Sequence, residues 1–176
     1  MHHFQVTAGK EFSKGYIAID DISIKDDCPI LGSCTFEEGM CLWTNDPKAD
    51  LQWLRGSGEI TESGPEVDVT FGTIFGTYLF AHMVKRWEGQ PEPASLISPY
   101  FQRTEHRCFN YFSYRGPNDF DGGLAVFMYR NADDDRVNMQ ELLQDDIGKW
   151  INRQVQVDED PDEAKYQIIF TADLRS

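Results

Sequence analysis

What most constrains this chain is its punctuation: short strand-forming runs recur between clusters of Gly, Pro, Asn and Asp, the pattern of an antiparallel all-β domain. The clearest runs are Gly15–Ile24, Gly76–Val84, Cys108–Tyr114, Gly123–Tyr129, Asn152–Val157 and Lys165–Thr171. In the last run Tyr166, Ile168 and Phe170 share one face and Gln167 lies on the other, the period of two that a strand with one buried side requires. Leu124–Tyr129 is apolar on both faces, which predicts a central strand covered twice. Gly64-Pro65, Pro91-Glu92-Pro93, Gly116-Pro117-Asn118-Asp119 and the acidic stretch Asp158–Glu163 read as turns or loops. Only Arg136–Leu143 passes for a helix. Its apolar residues Val137, Met139, Leu142 and Leu143 fit neither period, and it is read as a short strand.

A length of 176 residues suits one ordinary domain with a sizeable core and is too short for two of the usual size. Four Trp, seven Tyr and twelve Phe, many beside β-branched residues, favour sheet over helix. Thirty acidic against sixteen basic residues give a formal net charge of −14. Such a charge repels nucleic acid and anionic lipid and favours cation binding, so no nucleic-acid partner is expected. No run is apolar for long enough to cross a membrane as a helix, and no basic start followed by an apolar stretch opens the chain. Neither direct membrane insertion nor a secretory leader is therefore expected. Met1–His3 carry no weight in the fold.

Four cysteines, Cys28, Cys34, Cys41 and Cys108, can pair in three ways in an oxidising compartment. Cys34 and Cys41 bracket a loop short enough for a local bridge, which would leave Cys28 with Cys108 and tie the N-terminal segment to a central strand. The alternative is free buried thiols in a reducing compartment. No Cys-x-x-Cys pair occurs, and the gaps fit no zinc ribbon or finger.

A longer series of spaced elements follows in order. It runs through Cys34-Thr-Phe-Glu-Glu-Gly-Met-Cys41-Leu-Trp-Thr-Asn45, Asp50-Leu-Gln-Trp53, Gly64-Pro-Glu-Val-Asp-Val-Thr70, Gly76-Thr-Tyr-Leu79 and Ala94-Ser-Leu-Ile-Ser-Pro99. It continues with Cys108-Phe-Asn-Tyr-Phe-Ser-Tyr114, Gly123-Leu-Ala-Val126, Trp150 and Tyr166-Gln-Ile-Ile-Phe170. On these elements the sequence resembles the MAM domain, the module of meprins, neuropilins and receptor tyrosine phosphatases, over nearly all of residues 34–176. The resemblance implies an antiparallel jelly-roll-like β-sandwich and an extracellular adhesion module. Its role would be protein–protein contact or oligomerisation within a larger ectodomain. The implied partner is a protein, including a like copy, or a neighbouring MAM or other ectodomain module. Leu143-Gln144 departs from the family's frequent Leu-Trp, and Phe170-Thr171 from its Phe-Glu.

The larger departure is order. A MAM domain ends with a segment similar to Gly15–Ile24 followed by a cysteine, and here that segment comes first. Val6-Thr7-Ala8 also matches Phe170-Thr171-Ala172 at an offset of 164 residues, about one domain length. The chain thus divides into residues 1–28, the closing strand segment of a repeat; 29–33, a linker; and 34–176, the main body. In the family the closing cysteine pairs with the one that Cys108 matches, so the resemblance implies Cys28 with Cys108. Two outcomes stand open: the segment folds back onto its own body, or it completes a neighbouring molecule by strand exchange. The linker spans at most about 18 Å, so fold-back requires the closing strand to end near where the body begins.

Asp20 and Asp21 interrupt an apolar run, so one carboxylate faces inward whichever way the strand turns. Buried without a partner it costs several kcal/mol, so backbone donors, an arginine or a metal must meet it. The resemblance places Glu37, Asp50 and Asp68 near chain crossings. These five are the candidate ligands for one structural calcium or similar cation. The competing reading has Asp20 or Asp21 capping turn amides and Glu37 paired with a basic residue. Asp119-Phe-Asp121-Gly122 and Asp133–Asp135 lack the glutamate spacing of an EF-hand and read as solvated turns. Trp43, Trp53 and Trp150 lie in family-like elements and are expected in the core. Lys85, Arg86 and Trp87, a basic patch beside a proline-rich loop on an acidic chain, are the candidate contact residues, weighed against ordinary loop packing.

Catalysis is not expected. No His-Glu-x-x-His or Gly-x-Ser-x-Gly occurs, and Gly72-Thr-Ile-Phe-Gly76 lacks the rest of a phosphate loop. The alternative to a protein-binding module is a carbohydrate-binding module on the same architecture, with an exposed aromatic platform beside hydrogen-bonding groups.

Overall fold

The computed structural model describes residues 31–59, 64–81, 93–102, 107–116, 123–130, 136–142, 147–157 and 165–172. Within them the regular structure is all β. The strands are β1 (Thr44–Asn45), β2 (Trp53–Ser57), β3 (Thr77–Ala81), β4 (Ala94–Ile97) and β5 (Phe101–Gln102). They continue with β6 (Arg107–Tyr114), β7 (Leu124–Arg130), β8 (Arg136–Leu142), β9 (Trp150–Val157) and β10 (Lys165–Ala172). Gly15–Ile24, Cys28 and the segments around Trp87, Asp121, Asp134 and Asp160 lie outside the described residues.

One layer is an antiparallel sheet in the order β1-β4-β10-β7-β8, with β5 on β10. β10 organises it. Tyr166, Ile168, Phe170 and Ala172 alternate along one face and are all buried, as the period-two reading requires. Ile169 on the other face is buried as well. Along one edge β10 pairs with β4 from Ile169↔Ile97 to Ala172↔Ala94, and then with β5 at Tyr166↔Phe101. Between those two partners the buried Ser98 keeps the ladder satisfied: its N–H donates to the Ile168 carbonyl at 2.9 Å and its hydroxyl accepts from the Ile168 N–H at 2.8 Å. The other edge of β10 pairs with β7 from Tyr166↔Arg130 to Ala172↔Leu124. β7 is thus interior to the sheet as expected, with Val126 and Met128 in the core, while Ala125, Phe127 and Tyr129 on its second face are half-buried.

The β7–β8 register shifts between Val126 and Phe127: Val126 faces Gln140 and Phe127 faces Asn138, so Met139 is the extra residue of a β-bulge. A bulge resets the alternation, which is why Arg136–Leu143 shows no clean period. Val137 and Met139, before and within it, both pack against the core.

The facing layer comprises two ribbons, β2–β3 and β6–β9. Across the sandwich Phe170 meets Phe109 at 6.0 Å and Tyr111 at 4.8 Å in an edge-on arrangement, and Trp43, just before β1, adds a third ring at 5.7 Å. Each fully buried ring contributes about 1.5–3 kcal/mol by removal from water, and each ring pair roughly 0.5–1.5 kcal/mol more. Burial pushes the Tyr111 phenol up to about 12, against the lowering influence of the Arg153 cation.

Two local devices shape the loops. Cys34 and Cys41 form a disulfide with Cα atoms 6.0 Å apart, closing a loop in which Phe36 and Cys41 both adopt positive φ. That loop is tied to the core by Trp43, whose N–H bonds the Met40 carbonyl and whose indole Nε1 donates to Gly32 at 3.0 Å. The second device is Asp68, 3% exposed. Its Oδ2 accepts from the Phe71 N–H at 2.7 Å and its Oδ1 from the Thr73 N–H at 2.9 Å, while its own N–H donates to the Thr73 carbonyl. Gly76 is obligatory beside it, because a Cβ there would lie 2.1 Å from the carboxylate.

Burial raises the Asp68 pKa, but the backbone N–H groups of Thr73, Phe71, Thr70 and Asp68 itself outweigh it and hold the carboxyl below its ordinary value. A depressed folded pKa means stability that is present above the unfolded carboxylate pKa and lost as pH falls through the folded one. Asp68→Ala is expected to lower the unfolding free energy by about 3 kcal/mol at pH 7, since it strands buried donors, and Asp68→Asn by roughly half that. Urea unfolding in chelator should show the gap between wild type and Asp68→Ala narrowing below about pH 4. A variant midpoint equal to wild type at pH 7 contradicts this account.

Candidate functional site

The connection between β2 and β3 turns its apolar residues outward. Over residues 66–76, Val67, Val69, Phe71, Ile74 and Phe75 are exposed, the two phenylalanines at 65% and 71%, while Asp68 and Gly76 point in. Hydrophobic side chains left in water would ordinarily pull a loop down onto the core. Here the backbone is held at too many points to follow. The Asp68 carboxylate grips the Phe71 and Thr73 amides, and the Thr73 hydroxyl accepts from the Gly76 N–H at 3.1 Å. The Tyr78 hydroxyl donates to the Pro65 carbonyl at 2.9 Å, and Trp150 Nε1 donates to the Val67 carbonyl at 2.7 Å. Trp150 is itself wedged between Tyr78 and Tyr114, with ring centroids 5.6 Å from each. The result is a pinned loop that presents an apolar ridge.

Beneath the ridge two of the expected acidic residues converge. Glu37 Oε2 accepts from the Thr77 N–H at 3.0 Å, and the Asp68 carboxylate lies against Gly76, so both flank the Gly76–Thr77 step at the start of β3. Among the described residues no basic side chain is recorded against the Glu37 carboxylate, as the competing reading would have it. Arg55 instead donates to the carbonyls of Phe36 at 2.9 Å and Glu37 at 2.5 Å, bracing the disulfide loop. The second carboxylate oxygen, Oε1, is buried with no hydrogen-bond partner among the described residues. Asp50 is exposed in the β1–β2 connection. No group of three or more His, Cys, Asp or Glu side chains able to hold a metal ion occurs among the described residues. Asp20 and Asp21, and the contact candidates Lys85, Arg86 and Trp87, lie outside them.

The three tryptophans expected in the core divide by role. Trp43 is buried at its centre. Trp53 packs against it with its indole N–H on the Ala94 carbonyl at 3.1 Å, and its backbone is docked by the Asn45 side chain, which accepts from Trp53 N and donates to Trp53 O. Trp150 is half-buried and serves the loop. Cys108 carries a free, exposed thiol on β6. Phe71, Ile74 and Phe75, the most conspicuous surface residues, were not predicted as contact residues. Their signal in the sequence is a cluster of large apolar side chains on either side of Gly72 and before Gly76, with no strand or helix period.

Comparison with known proteins agrees with this architecture. The sequence profile of the MAM domain, meprin/A5/mu, matches residues 34–176. MAM domain-containing protein 2 of Mus musculus and its namesake in Homo sapiens are each 28% identical over 170 residues, covering 90% of this chain and 24% of either relative. The chain therefore spans about a quarter of the length of these relatives. Domains of the family are typically extracellular, non-catalytic modules of the adhesion type, and the Cys34–Cys41 bond fits an oxidising compartment. With the profile matched from the first disulfide cysteine through β10 on an all-β sandwich, this chain belongs to the MAM domain family.

Proposed function

We propose that this domain is an extracellular adhesion module that docks on another protein through the β2–β3 loop, as one part of a larger ectodomain. The observation that carries the reading is the pinned apolar ridge of Val67, Val69, Phe71, Ile74 and Phe75. Exposed apolar patches of this kind mark interaction surfaces, and aromatic anchors held in place lose little entropy when a partner covers them. The net charge of −14 selects a partner whose contacting face carries a basic rim, and makes like-with-like contact weaker at low salt.

A glycan partner is the weaker reading. Sugars require hydrogen-bonding groups beside a ring, and the loop's own are already used: the Asp68 oxygens by backbone amides, the Thr73 hydroxyl by Gly76. A structural cation belongs to the same proposal. Glu37 and Asp68 would hold it, because Glu37 Oε1 is a buried carboxylate oxygen with no donor among the described residues, and calcium takes oxygen ligands of this kind. Its role would be to brace the base of the loop.

Beads coated with the chain should adhere to cells through surface protein, so that trypsin treatment of the cells abolishes adhesion and glycosidase treatment does not. The double variant Phe71→Ser, Phe75→Ser should reduce adhesion at least about tenfold with an unchanged thermal midpoint, since both rings are exposed. Adhesion that survives the double substitution excludes the loop as the contact. For the cation, millimolar calcium should raise the thermal midpoint of the wild type and leave Glu37→Gln unmoved; equal responses would remove Glu37 from that role.

A further inference from the structure

We propose that the Cys34–Cys41 disulfide is a redox latch on the apolar ridge. Intact, it holds the β2–β3 loop in its docking form; reduced by a dithiol, such as the active site of a thiol–disulfide oxidoreductase, it releases that loop. The consequence for docking rests on the reading of the ridge given above, while the latch itself rests on the bonds between the two loops.

Those bonds run in an unbroken series. Glu37 lies inside the bridged loop, and its Oε2 accepts from the Thr77 N–H at 3.0 Å. Thr77 opens β3 directly after Gly76, whose N–H donates to the Thr73 hydroxyl and against which the Asp68 carboxylate lies. Asp68 in turn holds the amides of Phe71 and Thr73. The bridged loop is also seated on β2, where Arg55 donates to the carbonyls of Phe36 and Glu37. A bridge that constrains only its own loop thus reaches the ridge through one carboxylate.

The bridge also holds an unfavourable backbone. Phe36 and Cys41 have φ values of 64° and 51°, in the left-handed region that bulky residues avoid. Such conformations persist only where the surroundings over-determine them, and the covalent ring of residues 34–41 does so here. Once that ring is opened, both residues can return to negative φ. The Phe36 side chain packs against the core, so the change is taken up by the backbone that carries Glu37, and the carboxylate leaves Thr77. The ends of the loop are held independently, since Trp43 sits in the core and bonds the Gly32 carbonyl. Release is therefore local.

Access favours the chemistry. Cys41 is exposed, whereas Cys34 is half-buried against the core, and exposed disulfides are the ones that thiol exchange reaches. A reductant thiolate attacks Cys41 Sγ and forms a mixed disulfide, while the protein S–S bond breaks and Cys34 leaves as a thiolate that takes up a proton. The second reductant thiol then displaces Cys41. The reductant departs as a disulfide, and the protein gains two electrons and two protons as two thiols.

Hydrogen exchange on the full chain in chelator tests the latch. It compares the oxidised protein, the protein reduced with dithiothreitol, and the variant Cys34→Ser, Cys41→Ser, which removes this bridge alone. The amides of Thr77, Phe71 and Thr73 should exchange at least about tenfold faster in the last two, while Ile168 and Phe170 of β10 keep their protection. Unchanged exchange at Thr77 overturns the latch, and so does equal acceleration at β10, which would be loss of the fold. Glu37→Ala with the bridge intact should show the same acceleration and no further rise on reduction; a further rise as large as that of the wild type overturns the route through Glu37. Beads carrying the double serine variant should adhere at least about fivefold less than wild type. Undiminished adhesion overturns the switch when Phe71→Ser, Phe75→Ser lowers adhesion; when that variant also adheres fully, the docking reading falls and exchange at Thr77 decides the latch.

Discussion

The two layers of this sandwich are joined by aromatic packing around Phe170, and most other features lean on that contact. β10 brings the ring to the middle of the sheet, and Phe109, Tyr111 and Trp43 converge on it from the facing layer and the disulfide loop. Because Trp43 belongs to that cluster and also bonds the Gly32 carbonyl, the Cys34–Cys41 loop and the linker are fixed by the same core that holds the sheets. A local disulfide constrains only its own short loop. Its position relative to β6 and β10 comes from the tryptophan.

Asp68 shows the opposite economy, a buried charge serving a surface. Removing a carboxylate from water is costly unless charged hydrogen bonds replace the lost hydration. The turn supplies them from the backbone amides of Phe71 and Thr73, and in doing so fixes a loop that would otherwise fold its phenylalanines away. The glycine at position 76 is part of this arrangement, since any side chain there would expel the carboxylate.

Several strands were legible in the sequence: β6, β9 and β10 coincide with runs read between turn signals, to within two residues at their ends, and β10 also with the alternation of Tyr166, Ile168 and Phe170. β2 and β4 were not named among the clear runs, for physical reasons. β2 contains Gly56, a residue that usually signals a break, yet it is needed because the Phe80 ring of β3 occupies the space a Cβ would fill, 2.5 Å away. β4 is Ala-Ser-Leu-Ile, with its first three residues buried on both faces, so no alternation survives. At the site, the resemblance named Glu37, Asp50 and Asp68 as candidate cation ligands; the structure has Glu37 accepting from the Thr77 N–H, Asp68 lying against Gly76 and Asp50 exposed elsewhere. That Asp68 holds a turn depends on bonds to amides three and five residues away, which composition does not encode. Phe71 and Phe75 were passed over because large apolar residues default to the core, and only the pinned backbone keeps them out.

The geometry of β6 relates the two surfaces to each other. Its C-terminal residue Tyr114 packs on Trp150, which holds the β2–β3 loop through Val67. Its N-terminal end, through Phe109 and Phe101, meets Gly32 and the linker. Eight residues of strand separate these ends, about 25 Å. The Val67 anchor of the β2–β3 loop and Gly32 therefore lie at opposite ends of β6. The arrangement follows from one strand being bound at both ends by aromatic contacts, with the disulfide loop on one side and the Asp68 turn on the other.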